Sequence, residues 1–366
     1  MKLQHLITFL QSQCPPAFQE AYDNCGLLTG NPEQDVKGIL LCLDSTETVL
    51  DEAIKNECNL IIAHHPILFN PIKKLTGKNY AERVIIKAIK HDIAIYAMHT
   101  NLDNIADGVN CKIAEIIGLQ NPTVLRPKKG LLCKLVTFCP RDKADEIRNA
   151  IFAAGGGMIG GYDQCSFNGQ GIGTFRAGEH TNPYIGKKGK IHYENEERIE
   201  TIIPSYLEDS VISSLLRAHP YEEVAYDIYP LSNSHPQIGS GMIGNLAKPM
   251  KEKNFLAMIM EKMHLECIRY SPLTGRKVEM VAICGGSGSF LLPDAISVGA
   301  QVLITSDFKY HQFFDADGKI LIADIGHYES ERFTPQIVYT LLKEKFPTFA
   351  IQISKTNTNP VNYLLK

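Results

Sequence analysis

The sequence predicts an α/β protein: a split α/β/α core domain with a mainly parallel sheet, interrupted by an inserted α+β domain. Three observations carry this. In the first third of the chain, short apolar runs alternate with amphipathic stretches, the βαβ pattern of parallel sheets. The last third repeats the pattern. The middle follows a different order and is flanked by two segments of loop composition, as an insertion requires.

Gly38-Ile39-Leu40-Leu41-Cys42-Leu43-Asp44 is a near-continuous apolar run and reads as a buried strand. Thr46 to Asn56 reads as a helix. Asn59 to Ala63 is a second strand, ending at His64. Tyr80 to His91 is a helix with Val84, Ile85, Ala88 and Ile89 on one face, and Ile93 to Met98 a third strand. The middle reads as strand (Leu131–Phe138), helix (Ala144–Ala154), a glycine-rich strand pair, strand (Ile199–Ile203), helix (Leu207–Ala218) and strand (Val224–Tyr229). That is close to the split βαβ order of a ferredoxin-like unit. Arg126-Pro127-Lys128-Lys129-Gly130 and Leu231-Ser232-Asn233-Ser234-His235-Pro236 read as linkers, so 1–125 with 235–366 form the core and 126–234 the insert. In the last third, Val278–Cys284, Val302–Thr305, Ile320–Ala323 and Phe349–Ile353 read as strands, and Leu291–Val298 and Ile337–Lys345 as helices.

The 366 residues are enough for two or three domains. Lys and Arg total 37 against 40 Asp and Glu, a formal net charge of -3. A nucleic-acid binder carries a basic surplus, so direct DNA binding is not expected. No apolar run reaches the ~18 residues of a membrane span. Met1-Lys2-Leu3-Gln4-His5 lacks the charged-then-apolar pattern of a signal peptide, and a cytoplasmic location is the expectation. The 10 cysteines form no CxxC, and Cys42, Cys133 and Cys284 lie in apolar, strand-like runs. They read as small buried hydrophobes in a reducing compartment.

The chemistry sits at strand ends. In Ala63-His64-His65-Pro66, adjacent side chains of a strand would point to opposite faces. The two histidines can share a site only where the strand gives way to a turn, and Pro66 holds His65 extended there. Open α/β sheets bind ligands at that edge. The third strand ends in Met98-His99-Thr100-Asn101-Leu102-Asp103 and brings a second histidine and a carboxylate to the same edge. Asp103 reads either as a ligand or as the cap of a following helix. Near the C-terminus, Gly326-His327-Tyr328-Glu329-Ser330-Glu331 follows another strand. His327 and Glu331 share a face if the segment is helical. If the helix begins at Thr334, with Pro335 in its first turn, they lie on a turn.

Together, His64, His65, Asp103, His327 and Glu331 offer three imidazoles and two carboxylates. One catalytic zinc needs about three protein ligands. Five suit two divalent ions about 3.5–4 Å apart, of the borderline type: Zn, Fe, Mn, Co or Ni. Cys284-Gly285-Gly286-Ser287-Gly288-Ser289 joins a strand to a helix. It reads as a tight turn or as a phosphate cradle at Gly286, Ser287 and Gly288. His311, after the strand Val302–Thr305, reads as a general acid/base or as a surface residue. His99 is the other candidate catalytic group.

Tyr22-Asp23-Asn24-Cys25-Gly26-Leu27-Leu28-Thr29-Gly30, His64-His65-Pro66, His99-Thr100-Asn101-Leu102-Asp103, Gly285-Gly286-Ser287-Gly288-Ser289 and Gly326-His327-Tyr328-Glu329-Ser330-Glu331 resemble the GTP cyclohydrolase I type 2 homologue (NIF-three-like) family, over about 1–125 and 235–366. The insert is similar to that of the family variant carrying a PII/CutA-like domain. The resemblance implies a dinuclear metal site at the five residues above, bridged by Glu331. It also implies a toroidal homohexamer whose sites face an internal cavity. Tyr22 stands where many relatives carry Trp. The expected function is that of a metal-dependent hydrolase acting on a nucleotide or phosphate-containing substrate. The alternative is a non-catalytic metal-binding regulatory, storage or metal-delivery protein.

Overall fold

The computed structural model describes residues 1–364. Met1–Pro127 and the chain from Gln237 onward form one compact unit, and Lys128–Pro236 another. The first unit is mixed α/β with two sheets. One sheet runs in the order Gly26–Thr29, Ala94–Ala97, Leu60–Ala63, Ile39–Cys42, Ile351–Ile353. Its strands are parallel except Gly26–Thr29, which pairs antiparallel. The other runs Arg269–Tyr270, Leu321–Asp324, Val302–Ser306, Lys277–Ser287, Ser234–Lys251, Leu119–Lys129, with Val302–Ser306 parallel to both of its neighbours.

Period-two alternation explains the layering. Ile39, Leu41, Leu60, Ile62, Ala94 and Tyr96 face an inner core. That core also holds Leu6 and Leu10 of the helix Leu3–Gln13, Ile113 of Val109–Ile117, Phe255 of Glu252–Lys262 and Leu342 of Thr334–Lys345. From the second sheet it takes Val281, Ile283, Val302, Ile304 and Leu321. The alternate residues Leu40, Cys42, Ile61, Ala63 and Ile95 face outward onto the helices Glu47–Lys55 and Tyr80–Lys90. Those helices begin where Thr46 and Asn79 accept the N–H groups of Val49 and Glu82. Each fully buried Leu or Ile contributes about 1.5–3 kcal/mol. Strands held from both faces make a rigid base for the turns at their ends.

The alternation of strands and helices led to the expectation of one sheet; the structure has two. Alternation records the succession of elements and not which strands pair. The last strand, Ile351–Ile353, returns to lie beside Ile39–Cys42, while 277–287, 302–306 and 321–324 pair among themselves.

The second unit contains, in order, the strand Leu132–Pro140, helix Ala144–Ala153, strands Phe167–Arg176 and Ile191–Pro204, helix Glu208–Ala218 and strand Tyr226–Pro230. All strand pairs are antiparallel, in the order 167–176, 191–204, 132–140, 226–230. Its core is Leu135, Ile147, Ile151, Ile199, Ile203, Val211 and Leu215. The expected strand Ile199–Ile203 is the second half of Ile191–Pro204. Only that half is buried, so only it carries the apolar alternation. Among the described residues, no helix is long and apolar enough to cross a membrane. All ten cysteines are free thiols, and Cys42, Cys133 and Cys284 are buried.

Candidate metal site

The backbone ladder of Leu60–Ala63 runs two residues past the strand: His64 N–H donates to Cys42 O and His65 N–H to Leu43 O. Pro66 cannot continue it. Both rings enter one site, with centroids 4.9 Å apart. Ala94–Ala97 leads through His99 into the short helix Thr100–Asp103. Asp103 does not cap a following helix; its Oδ1 is buried without a hydrogen-bond partner. From the second sheet, Leu321–Asp324 leads through Gly326 into the helix His327–Glu331, and a separate helix begins at Thr334. The helical reading of the i, i+4 pair therefore holds, with His327 Nε2 3.1 Å from Glu331 Oε2.

The protons decide what the site can hold. His64 is fully buried, and burial pulls its pKa down to about 4, so the ring is neutral. Its Nδ1 lies 2.8 Å from the Met98 carbonyl, which only accepts, so the ring proton is on Nδ1. Nε2 keeps a bare lone pair, 3.6 Å from Asp103 Oδ1 and 3.7 Å from Glu331 Oε2. Neither His64 Nε2 nor Asp103 Oδ1 has a hydrogen-bond partner. A buried lone pair facing carboxylate oxygens is costly unless a cation lies among them.

Glu331 is buried, and its Oε2 also lies 2.9 Å from His65 Nε2. His65 Nε2 and His327 Nε2 are 3.2 Å apart. With only protons to hold this arrangement, both imidazoles bind them tightly. Burial pulls His65 down, but Asp44 and Glu331 outweigh it and raise the pKa to about 9. Asp307 and Glu331 likewise raise His327 to about 11 against burial. Burial and then Glu331 push Asp103 well above the usual carboxylate range. Two groups of donors could each hold a metal ion, His64–Asp103–Glu331 and His65–His327–Glu331; a third consists of His64, His65 and His99.

A layer of acceptors behind the histidines was not recognised from sequence. Asp44 Oδ1 lies 2.7 Å from His65 Nδ1, Asp307 Oδ2 2.6 Å from His327 Nδ1 and Asp23 Oδ1 2.8 Å from His99 Nδ1. Each fixes a ring and turns its Nε2 away from the acceptor, as outer-shell carboxylates do around metals. Asp44 directly follows the apolar run Ile39-Leu40-Leu41-Cys42-Leu43, and Asp307 follows the end of the strand Val302–Ser306, the same strand-end position that marked the histidines.

The glycine turn does not present the expected set of free donors. Gly286 N–H donates to Ser330 Oγ and Gly288 N–H to Thr305 Oγ1, so a phosphate cradle would have to rely on the exposed Ser287. Gly286 instead makes room. Its φ is +60°, and a Cβ there would lie 2.2 Å from Glu331 Oε1. His311 is exposed on the turn Tyr310–Ala316, against the Tyr310 ring, and does not line the cleft over the metal donors. His99 does line it. The cleft, about 400 Å³, is bordered by the rings of Tyr22, Phe69, Tyr80 and Phe290.

Fold and site together define a mixed α/β protein whose histidines and acidic residues converge at strand ends in groups able to hold metal ions. Residues 1–360 match the Duf34/NIF3 (NGG1p interacting factor 3) family, and the chain belongs to it. It is 38% identical over 368 residues to the GTP cyclohydrolase 1 type 2 homolog of Halalkalibacterium halodurans, covering 99% of this chain and 98% of that one. The Bacillus subtilis protein of the same name is 36% identical over 367 residues, with the same coverage. The solved structure of a Bacillus cereus protein related to NIF3 superposes with a TM-score of 0.86 at 37% identity, covering 100% of this chain and 99% of that one. Staphylococcus aureus protein SA1388 gives a TM-score of 0.80 at 29% identity, also covering 100% and 99%.

Proposed function

We propose that the site is a dinuclear divalent-metal centre and that the protein is a hydrolase acting on a nucleotide or another phosphate-containing small molecule. The carrying observation is the pair of buried, partnerless atoms, His64 Nε2 and Asp103 Oδ1, beside Glu331. Two donor groups share Glu331, so His64 and Asp103 would hold one ion and His65 and His327 another, with Glu331 available to both. Imidazole and carboxylate donors together favour Zn, Fe, Mn, Co or Ni. Held there, such ions supply Lewis-acid chemistry: a water made acidic near neutral pH and charge neutralised on a phosphoryl or carbonyl oxygen. The chain's own residues orient and enclose. Met98 O, Asp44 and Asp307 aim the rings, and the aromatic border can flank a flat group such as a nucleobase. The name shared by the relatives makes GTP the first substrate to try.

One observation favours a second reading, a metal storage or delivery protein without turnover. Among the described residues, no Lys or Arg lines the cleft, so once His65 and His327 gave their Nε2 atoms to metal, only the bound cations would meet a phosphate's charge. The Lys128–Pro236 unit is proposed to be a ferredoxin-like insert of PII/CutA type, a reading supported by its strand–helix–strand–strand–helix–strand order. The family resemblance further supports a cytoplasmic, toroidal homohexamer. Metal analysis of protein from its native host, then assay of that metal form on GTP and a phosphoester panel, tests the hydrolase. Turnover lost in His65→Ala supports it. Reversible metal exchange without turnover in either form supports the second reading. Light scattering tests for six copies of the 40.7 kDa chain.

A further inference from the structure

The segment beyond the last strand lies against the back of the site. Ser354 N–H donates to Leu41 O, extending the edge of the first sheet. Glu52, on the helix Glu47–Lys55, then accepts three hydrogen bonds from the segment: from Ser354 Oγ (2.6 Å), Lys355 N (2.8 Å) and Thr356 Oγ1 (2.7 Å). With its start fixed in this way, the segment places two further side chains. Thr358 Oγ1 donates to Asp44 Oδ2 at 2.5 Å. Asn359 Nδ2 donates to Glu329 Oε1 at 3.0 Å, on the helix that carries His327 and Glu331.

We infer that Thr358 and Asn359 are positioning residues for the metal donors, a clamp joining the Asp44–His65 arm to the His327–Glu331 helix. This rests on the metal-binding reading above. The argument is geometric. Asp44 has two oxygens, and Oδ1 receives the His65 ring 2.7 Å away. A carboxylate bound at one oxygen can still swing about its Cβ–Cγ bond. Thr358 on the other oxygen fixes its plane, and with it the tautomer and direction of the His65 ring. The threonine is stiff at χ1, so its hydroxyl holds one direction. Asn359 does the same for the helix at one remove, through Glu329. The donors from the two sheets meet at their tips, where His65 Nε2 faces both His327 Nε2 and Glu331 Oε2. The clamp ties their bases together from behind.

The test uses the full chain, stripped of metal and titrated with zinc and cobalt(II) by calorimetry, with the cobalt(II) visible spectrum recorded alongside. Losing an outer-shell partner typically weakens metal binding by about 10–100-fold. Thr358 stands one bond further out, so Thr358→Val is expected to lose about tenfold and to shift the cobalt bands. Thr358→Ser, which keeps the hydroxyl, is expected to restore both. Asn359→Ala cuts the other tie and serves as a second variant should Thr358→Val fail to fold; it is expected to weaken binding in the same direction. Wild-type affinity and spectrum in the folded variants overturn the inference while leaving the metal reading intact. A wild-type protein that binds neither ion removes the metal reading itself, and the clamp with it.

Discussion

Replacing Glu331 by glutamine tests the centre most directly. Glutamine keeps the shape of the side chain and one acceptor oxygen, and removes the charge. In the metal-free protein, Glu331 Oε2 makes close contacts with His65 Nε2 at 2.9 Å and His327 Nε2 at 3.1 Å. Charge-assisted hydrogen bonds of this kind contribute about 1.5–3 kcal/mol each, so the two are worth about 3–6 kcal/mol. Relief from burying a carboxylate offsets part of that, and its removal also eases the repulsion with Asp103. A net loss of about 2–4 kcal/mol remains. At about 2–4 °C per kcal/mol for a unit of this size, the melting temperature falls by about 5–15 °C. With metal present the effect is larger in kind, because Glu331 belongs to two of the donor groups. If the proposed centre holds two ions, Glu331→Gln is therefore expected to lower the bound metal to at most one. Calorimetric melting of the stripped protein and elemental analysis of the loaded protein read the two effects separately. A variant that keeps wild-type metal content and affinity refutes the shared-carboxylate reasoning.

The same geometry has other consequences. Asp44→Asn keeps an acceptor for His65 but drops the charge, and weakens zinc binding about tenfold in calorimetry. Gly286→Ala places a methyl against Glu331 Oε1 in a left-handed backbone, costing about 1–3 kcal/mol by urea unfolding and displacing the carboxylate. In the second unit, burial lowers the pKa of His219, whose Nε2 donates to Phe138 O while Nδ1 accepts from Tyr221 N–H. The folded state holds this ring neutral, so the unfolded state takes up the proton first. Stability is full at neutral pH and is lost as pH falls below the ordinary histidine value of 6.5. The melting temperature should drop between pH 7 and pH 5, and His219→Gln should flatten that part of the curve.

The sequence readily revealed what local physics controls. The strands Leu60–Ala63 and Ala94–Ala97 lie within their expected spans, because residues buried on both faces leave an unbroken apolar run. The helix Glu47–Lys55 lies within its expected span as well, Thr46 being both a good cap and an apolar-pattern break. Non-local facts were not legible. Nothing in Ile351–Ile353 says that it pairs with Ile39–Cys42, or that 302–306 belongs to another sheet. The helices Leu3–Gln13 and Glu252–Lys262 were missed: neither has a side-chain cap.

The site divides along the same line. Histidines at strand ends are visible because a polar residue there interrupts an apolar run. The carboxylates behind them were overlooked because an aspartate after a strand is also an ordinary turn residue, and only the fold shows which imidazole it meets. His311 shows the converse. Its position after a strand matched the pattern, but the strand Val302–Ser306 gives Asp307 to the site and the turn carries His311 away to solvent. Asp307 has a left-handed backbone, φ 60°, at that point. A strained non-glycine residue bonded to the His327 ring is the mark of a position held by its surroundings. Its replacement by glycine would relax the backbone but remove the partner of the protonated His327 ring, so both the melting temperature of the metal-free protein and the zinc affinity measured by calorimetry are expected to fall. Unchanged zinc affinity in this variant would show a residue kept for the turn rather than for the site.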